Sequence, residues 1–299
     1  MERLPLRGAR LNREYRNLLR NKIEGVFFMQ RLLTISTLAF AMALPVLCAD
    51  QKPPTVKSKA EGEAYNAIMS APDPDARIKA SDAFITKYAD SELKGQVLFA
   101  EAFSYQQKGE YEKMAVYLEQ TIAADPKHYG AMLMLAKSIA QRTREFDLDR
   151  EEKLARAEKY AKEGMDLVKD APKPNPQASD EQWADAKKEY MSQGHSALGY
   201  AARARKNYEV AITEMKQALS EAPDPVTMVQ LAAVYDLTKK PDDALALLDK
   251  VMAMPDLHPS IRQFAQAEKV RATQMKSGGT TPGASAAPPA PAQVEIKKQ

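Results

Sequence analysis

The sequence has little from which to build a catalytic centre. Of 299 residues one is cysteine and three are histidine. Cys48 lies inside an apolar N-terminal run, so the folded part of the chain has no thiol, which excludes disulfides and redox chemistry there. His128, His195 and His258 are widely separated, with no Cys or His at ligand spacing, which argues against a metal site. No nucleophile stands near a base, and no glycine-rich phosphate loop occurs. Carboxylates alternate with Lys and Arg along helical stretches, the usual pattern of solvated helix faces. Asp147, Asp149 and Glu151 have the alternate spacing of a calcium loop, but the glycine and distal glutamate such a loop needs are missing. The chain is therefore expected to be no enzyme and to hold no cofactor or metal.

A concentrated basic surface is missing too. The formal charge is +3, but eight of the 43 basic residues and three of the 40 acidic ones precede residue 50. The remainder carries 35 basic against 37 acidic residues. Phosphate binding requires clustered positive charge, so nucleic acid is not an expected partner.

The N-terminus is organised for export. Met29-Gln30-Arg31 and the apolar run from Leu32 to Ala49 have the basic start, short apolar core and small-residue end of a secretory signal peptide, with cleavage after Ala49. Two alternatives stand beside cleavage: retention as an anchor helix, and lipidation of Cys48, against which the preceding Leu47 argues. Residues 1–28 form an Arg-rich preface unusual for such a leader. Glu24-Gly25-Val26 can be encoded by a purine-rich ribosome-binding stretch upstream of Met29, so Met29 is the expected start. Residues 50–59 then make a short spacer.

The remaining chain carries a repeat. Leu198 and Gly199 recur 33 residues later as Leu231 and Ala232, Ala211 as Ala244, Met215 as Leu248, and Ala218 as Val251. Spacings of three and four place these side chains on one helical face, so each copy reads as a helix pair. Five units follow, near 60–93, 94–128, 129–170, 180–224 and 225–255, with a covering helix over 259–276. Gly109 supplies a tight turn in the second unit and Pro126 ends it. An insertion around Phe146-Asp147-Leu148-Asp149-Arg150 lengthens the third. Pro172, Pro174 and Pro176 stiffen a linker at 171–178, after which Ser179 and Gln182 form a capping box. Ile261, Phe264, Ala265, Ala267 and Val270 are expected to face the array from the covering helix. The tail from 277 to 299 is too poor in large apolar residues to fold.

A repeat of this length with small residues at its helix crossings resembles the tetratricopeptide repeat of exported bacterial envelope proteins. The resemblance implies an all-α, right-handed solenoid of about five helix-turn-helix units with a C-terminal capping helix. Glu101 departs from the leucine usual at its position, and His195 stands where tryptophan is frequent. In that family the first helices of successive units line a concave groove. The corresponding residues here are Phe99, Phe103 and Gln106, then Leu133 and Lys137, Tyr200 and Arg203, and finally Val229 and Asp236. The chaperone-type clamp for a C-terminal carboxylate is not expected, because Phe99, Phe103 and Leu133 occupy several of its places.

What the resemblance implies is a non-enzymatic scaffold or adaptor in the periplasm or cell envelope, holding a protein or peptide partner in the groove. A structural arm of a membrane-attached envelope assembly is the alternative. An enzyme subunit without a recognisable site is a third and weaker reading. Membrane contact requires that 32–49 be retained or that Cys48 carry lipid.

Overall fold

The computed structural model describes residues 54–174 and 177–277. The leader, the preface before it, the tail beyond 277 and the middle of the proline linker lie outside the described residues. Within them the regular structure is helical throughout. In chain order the helices are α1 (Lys59–Met69), α2 (Pro74–Lys87), α3 (Lys94–Gln107), α4 (Tyr111–Ala124), α5 (Tyr129–Arg142) and α6 (Arg150–Asp170). They continue as α7 (Asp180–Ala204), α8 (Tyr208–Glu221), α9 (Pro225–Leu237), α10 (Pro241–Met252) and α11 (Pro259–Lys276). Each packs on the next, and α5 on α7 and α9 on α11 also touch across the helices between them. The architecture is a helical solenoid in which successive helices pack on one another and buried side chains form a string of local clusters.

Helix starts follow local chemistry. Ser58 accepts the Glu61 amide and Asp73 the Ala76 amide, with Pro74 behind it where no amide is required. Ser179 and Gln182 complete the capping box, and α7 runs unbroken for 25 residues into the fourth unit. Asp224 caps α9 through the Val226 amide, 3.1 Å away.

Helix ends explain the connections. Helices α3, α7 and α9 all close with the same pair of backbone bonds, the amide two residues past the cap donating back to the last turn: Glu110 to Tyr105, Asn207 to Ala202, Lys240 to Tyr235. This closure requires a left-handed residue, and Gly109, Lys206 and Lys239 take it at φ 72°, 62° and 58°. Helix α5 ends differently. Thr143 is extended, at φ −66° and ψ 122°, so the chain runs on into the longer connection before α6.

Close approach of helices depends on missing side chains. A Cβ on Gly199 would lie 2.6 Å from Met215 Cγ, and one on Gly164 2.8 Å from Leu133 Cγ. The repeated positions Ala211, Ala244, Met215, Leu248, Ala218 and Val251 are all fully buried at these crossings. The covering helix buries Ala265, Glu268 and Ala272, with Ile261 and Phe264 packed beside them. Val270 is 50% exposed and Ala267 is exposed, against expectation. The inward stripe follows 261, 264, 265, 268 and 272, and a glutamate within it concealed the stripe's true register.

Two substitutions test these constraints. Gly199→Ala is expected to lower stability by about 1–2 kcal/mol through overpacking on Met215, despite alanine's better helix propensity. Lys239→Gly is expected to raise it by about 0.5–1 kcal/mol by relieving a left-handed lysine. Urea unfolding of the two proteins reads both, and the same sign for both would show that the crossing or the turn has been misjudged.

Candidate partner-binding face

The first helices of the units carry the expected binding residues, and the structure divides those residues into two groups. On α3, Phe99, Phe103 and Gln106 follow a spacing of four and three that puts them on one stripe. Gln106 is exposed, and the two phenylalanines are half-buried. Phe99 leans on His128, ring centres 4.5 Å apart, and its ring edge stands 3.3 Å from where a Cβ on Gly130 would be. Tyr190 approaches the same glycine from α7 and meets Tyr129 edge-on at 5.0 Å. Phe99 and His128, Tyr129 of the third unit and Tyr190 of the fourth therefore form an aromatic patch with part of its area open to solvent.

Four of the expected residues are not available to a partner. Leu133 is fully buried between Gly164 and Gly194, whose absent side chains make its socket. Val229 is 3% exposed within the α9–α11 core. Tyr200 is also buried, its hydroxyl 2.7 Å from Thr227 Oγ1. Asp236 is 3% exposed, and neither carboxylate oxygen has a hydrogen-bond partner. Leu133 is covered where α6 and α7 close on α5, and Val229 where the covering helix α11 packs on α9.

Lys137 is engaged within the chain. Its ammonium lies 2.7 Å from Asp224 Oδ2, across 87 residues of sequence. The same oxygen accepts from the Thr227 hydroxyl at 2.7 Å, and Thr227 meets Ser196 at 3.0 Å as well as Tyr200. This network joins α5, α7 and the start of α9. Burial opposes the charges on both members of the ion pair, but their mutual attraction prevails, holding the Asp224 carboxyl below its usual range and raising Lys137. Burial pushes the Tyr200 phenol up to about 12. Arg203 is likewise taken, donating to Gln230 on α9. Charged residues of this face thus fasten one unit to the next.

Two buried acids lack such fastening. Burial pushes Asp236 up to about 6, with Glu268 of the facing α11 adding to the rise and Arg271 opposing it. Glu268 is raised as well, chiefly by burial. Glu101, fully buried under the α3 stripe, has neither oxygen at hydrogen-bond geometry. Burial lifts it to about 7, the Tyr117 hydroxyl offsetting part of the rise and Asp82 adding to it.

The histidines have structural tasks. His128 accepts the Ala131 amide at 3.1 Å and caps α5, and burial lowers its pKa. His258 caps α11 through the Ser260 amide, and His195 pairs with Glu214 at 2.8 Å. Asp147 and Asp149 are bound to Lys153, at 3.0 and 2.9 Å, so the calcium-like spacing is spent on ion pairs. No group of three or more His, Cys, Asp or Glu side chains suited to a metal occurs among the described residues.

No family model and no curated protein matches the chain. Among solved structures it is similar to TTC0263, a thermophilic tetratricopeptide repeat protein of Thermus thermophilus. The identity there is 18%, over 71% of this chain and 96% of that one, with a TM-score of 0.43. It is also similar to Acl4, described as the assembly chaperone of RpL4, at 11% identity over 74% and 98% and a TM-score of 0.41. A tetratricopeptide repeat protein of Parabacteroides merdae aligns at 15% identity over 74% and 92%, with a TM-score of 0.35.

The buried acids give an unusual pH dependence. Both Glu101 and Asp236 have folded-state values above their unfolded ones, so their contribution is complete below about pH 4 and is lost as pH rises through 6 to 7. A Glu101→Gln, Asp236→Asn double variant is expected to gain on the order of 2–3 kcal/mol relative to the parent between pH 4.5 and 7.5. Urea unfolding across that range measures it. Parallel stability curves would show that both carboxylates are hydrated in the native state.

Proposed function

We propose that the chain is an exported, non-enzymatic scaffold that holds a segment of a protein partner on the first-helix face of its second and third units. The observation that carries this reading is the contrast along one face. Phe99 and Phe103 keep open area beside the exposed Gln106, while Lys137, Tyr200 and Arg203 are committed to neighbours within the chain. Half-open aromatic side chains held by a rigid backbone are efficient contact groups, since little conformational freedom remains to be lost on binding. An apolar segment with one amide-compatible polar group is the complement of this stripe, and an acidic or carboxyl-terminal ligand is not.

The leader at 29–49 assigns the scaffold to the periplasm or cell envelope in this reading. An envelope adaptor needs a stable presenting surface and no chemistry of its own, which suits a solenoid whose ionisable groups serve packing and capping.

The test uses the processed chain and a Phe103→Ala, Gln106→Ala variant, because Phe99 also supports the helix packing at Gly130 and would confound the result. Quantitative pull-down from envelope extract is expected to lose at least tenfold in recovery of one partner, with the melting temperature unchanged. A tenfold loss corresponds to about 1.4 kcal/mol, modest for a truncated aromatic anchor. Equal recovery with parent and variant would move binding away from this face and favour the structural arm.

A further inference from the structure

The connection between α5 and α6 is the least economical part of the surface. Phe146 is 90% exposed and Leu148 is fully exposed, the most open large apolar side chains among the described residues. A slack loop could fold such residues inward, but this one is held. The Arg144 amide donates to Asp147 Oδ2 at 3.2 Å, and the Asp147 and Arg150 amides close two successive turns onto Arg144 and Asp147 carbonyls. Lys153 grips Asp147 and Asp149 together, and Lys206, on the adjoining turn of the next unit, pairs with Glu145 at 2.9 Å. Arg150 reaches across to the Ala204 carbonyl. Every second residue of Glu145-Phe146-Asp147-Leu148-Asp149 is an anchor, and the two between them are left in water.

We propose that this 143–149 finger is a second interaction site, whose Phe146 and Leu148 enter an apolar socket rimmed by Lys or Arg on a protein partner. Exposed apolar groups on a surface otherwise well covered mark contact sites, and two of them set on a braced turn have already lost the freedom that docking would cost. The charge around them defines the socket's rim. The carboxylates of Glu145, Asp149 and Glu151 are each more than half exposed, and Glu152 is exposed beside them. Arg150, Lys153 and Arg205 lie beneath, about two-thirds or more covered, leaving Arg144 and Lys206 as the open cations.

The outer rim is therefore acidic and complements a basic one. Acidic residues beside the tip would be repelled by an anionic lipid surface, so a protein fits better than a membrane. A second copy fits poorly as well. The other exposed large apolar residues, Val116, Val210, Leu237 and Val270, stand singly on α4, α8, α9 and α11.

The test places a benzophenone amino acid at Phe146 of the full-length chain in cells, with the same group at Val116 as control, and maps the photocrosslinked residue by mass spectrometry. The expected result is a crosslink, above the control, to an apolar segment bordered by Lys or Arg on a different protein. Leu148→Ser is expected to reduce its yield at least fivefold and Glu152→Lys at least twofold. Phe146→Ser, Leu148→Ser protein should melt as the parent does and keep the binding that depends on Phe103 and Gln106, which separates this site from the face on α3. A crosslink no stronger than the control's would overturn the proposal. So would one that falls on lipid, on a second copy, or on a surface without basic residues.

Discussion

The distance at which neighbouring helices cross governs much of the molecule. Met215 packs where Gly199 has no side chain, Met165 where Gly194 has none, and Leu133 fills the space left by Gly164 and Gly194 together. Packing this tight brings α7 down on both α5 and α6. Once α5 and α7 touch, the face between them is too narrow for Leu133 or Tyr200 to remain open. The same approach brings Lys137 within reach of the Asp224 cap, so a groove-lining cation becomes a clasp. The covering of Leu133 follows from Gly164 and Gly194, whereas Val229 is covered where α11 packs on α9.

Where helices end matters as much as where they cross. The left-handed closure after α3, α7 and α9 turns the chain back within three residues and allows no insertion. Thr143 does not adopt it, and there the chain projects a braced turn whose tips are the most exposed large apolar side chains among the described residues. The two candidate contact surfaces are products of these two constraints. One is the part of the first-helix face that close packing left partly open, and the other grows from the helix end that was not closed.

Much of this was legible beforehand, for physical reasons that also mark the limits. The repeat could be read because buried small residues recur at fixed spacing, and Gly109, the capping box at Ser179 and the insertion after α5 have local signatures. Lys206 and Lys239 hold the same left-handed turn as Gly109 but bear a side chain that gives no hint of it. The Lys137–Asp224 pair spans 87 residues, beyond any local pattern. Assigning groove residues by their place in the repeat told which helix face they occupy, but not how far the next unit covers that face. Leu133, Tyr200, Val229 and Asp236 were placed on the correct helices and given the wrong exposure.

Glu101 and the pair Asp236 and Glu268 lie toward opposite ends of the solenoid, whereas the satisfied network of Lys137, Asp224, Thr227 and Tyr200 lies between them. In a linear array each unit is stabilised by its neighbours alone, so a local penalty stays local. At neutral pH burial of the Glu101 and Asp236 carboxylates weakens the second unit and the contact between the fifth unit and its covering helix, where Glu268 is itself paired with Arg271 at 3.2 Å, while the Lys137–Asp224 pair retains its full strength in the middle. The aromatic stripe on α3 sits directly above Glu101. The helix that bears the stripe therefore carries on its opposite face an acid that burial disfavours, and the support beneath the stripe strengthens as Glu101 takes up a proton below about pH 7.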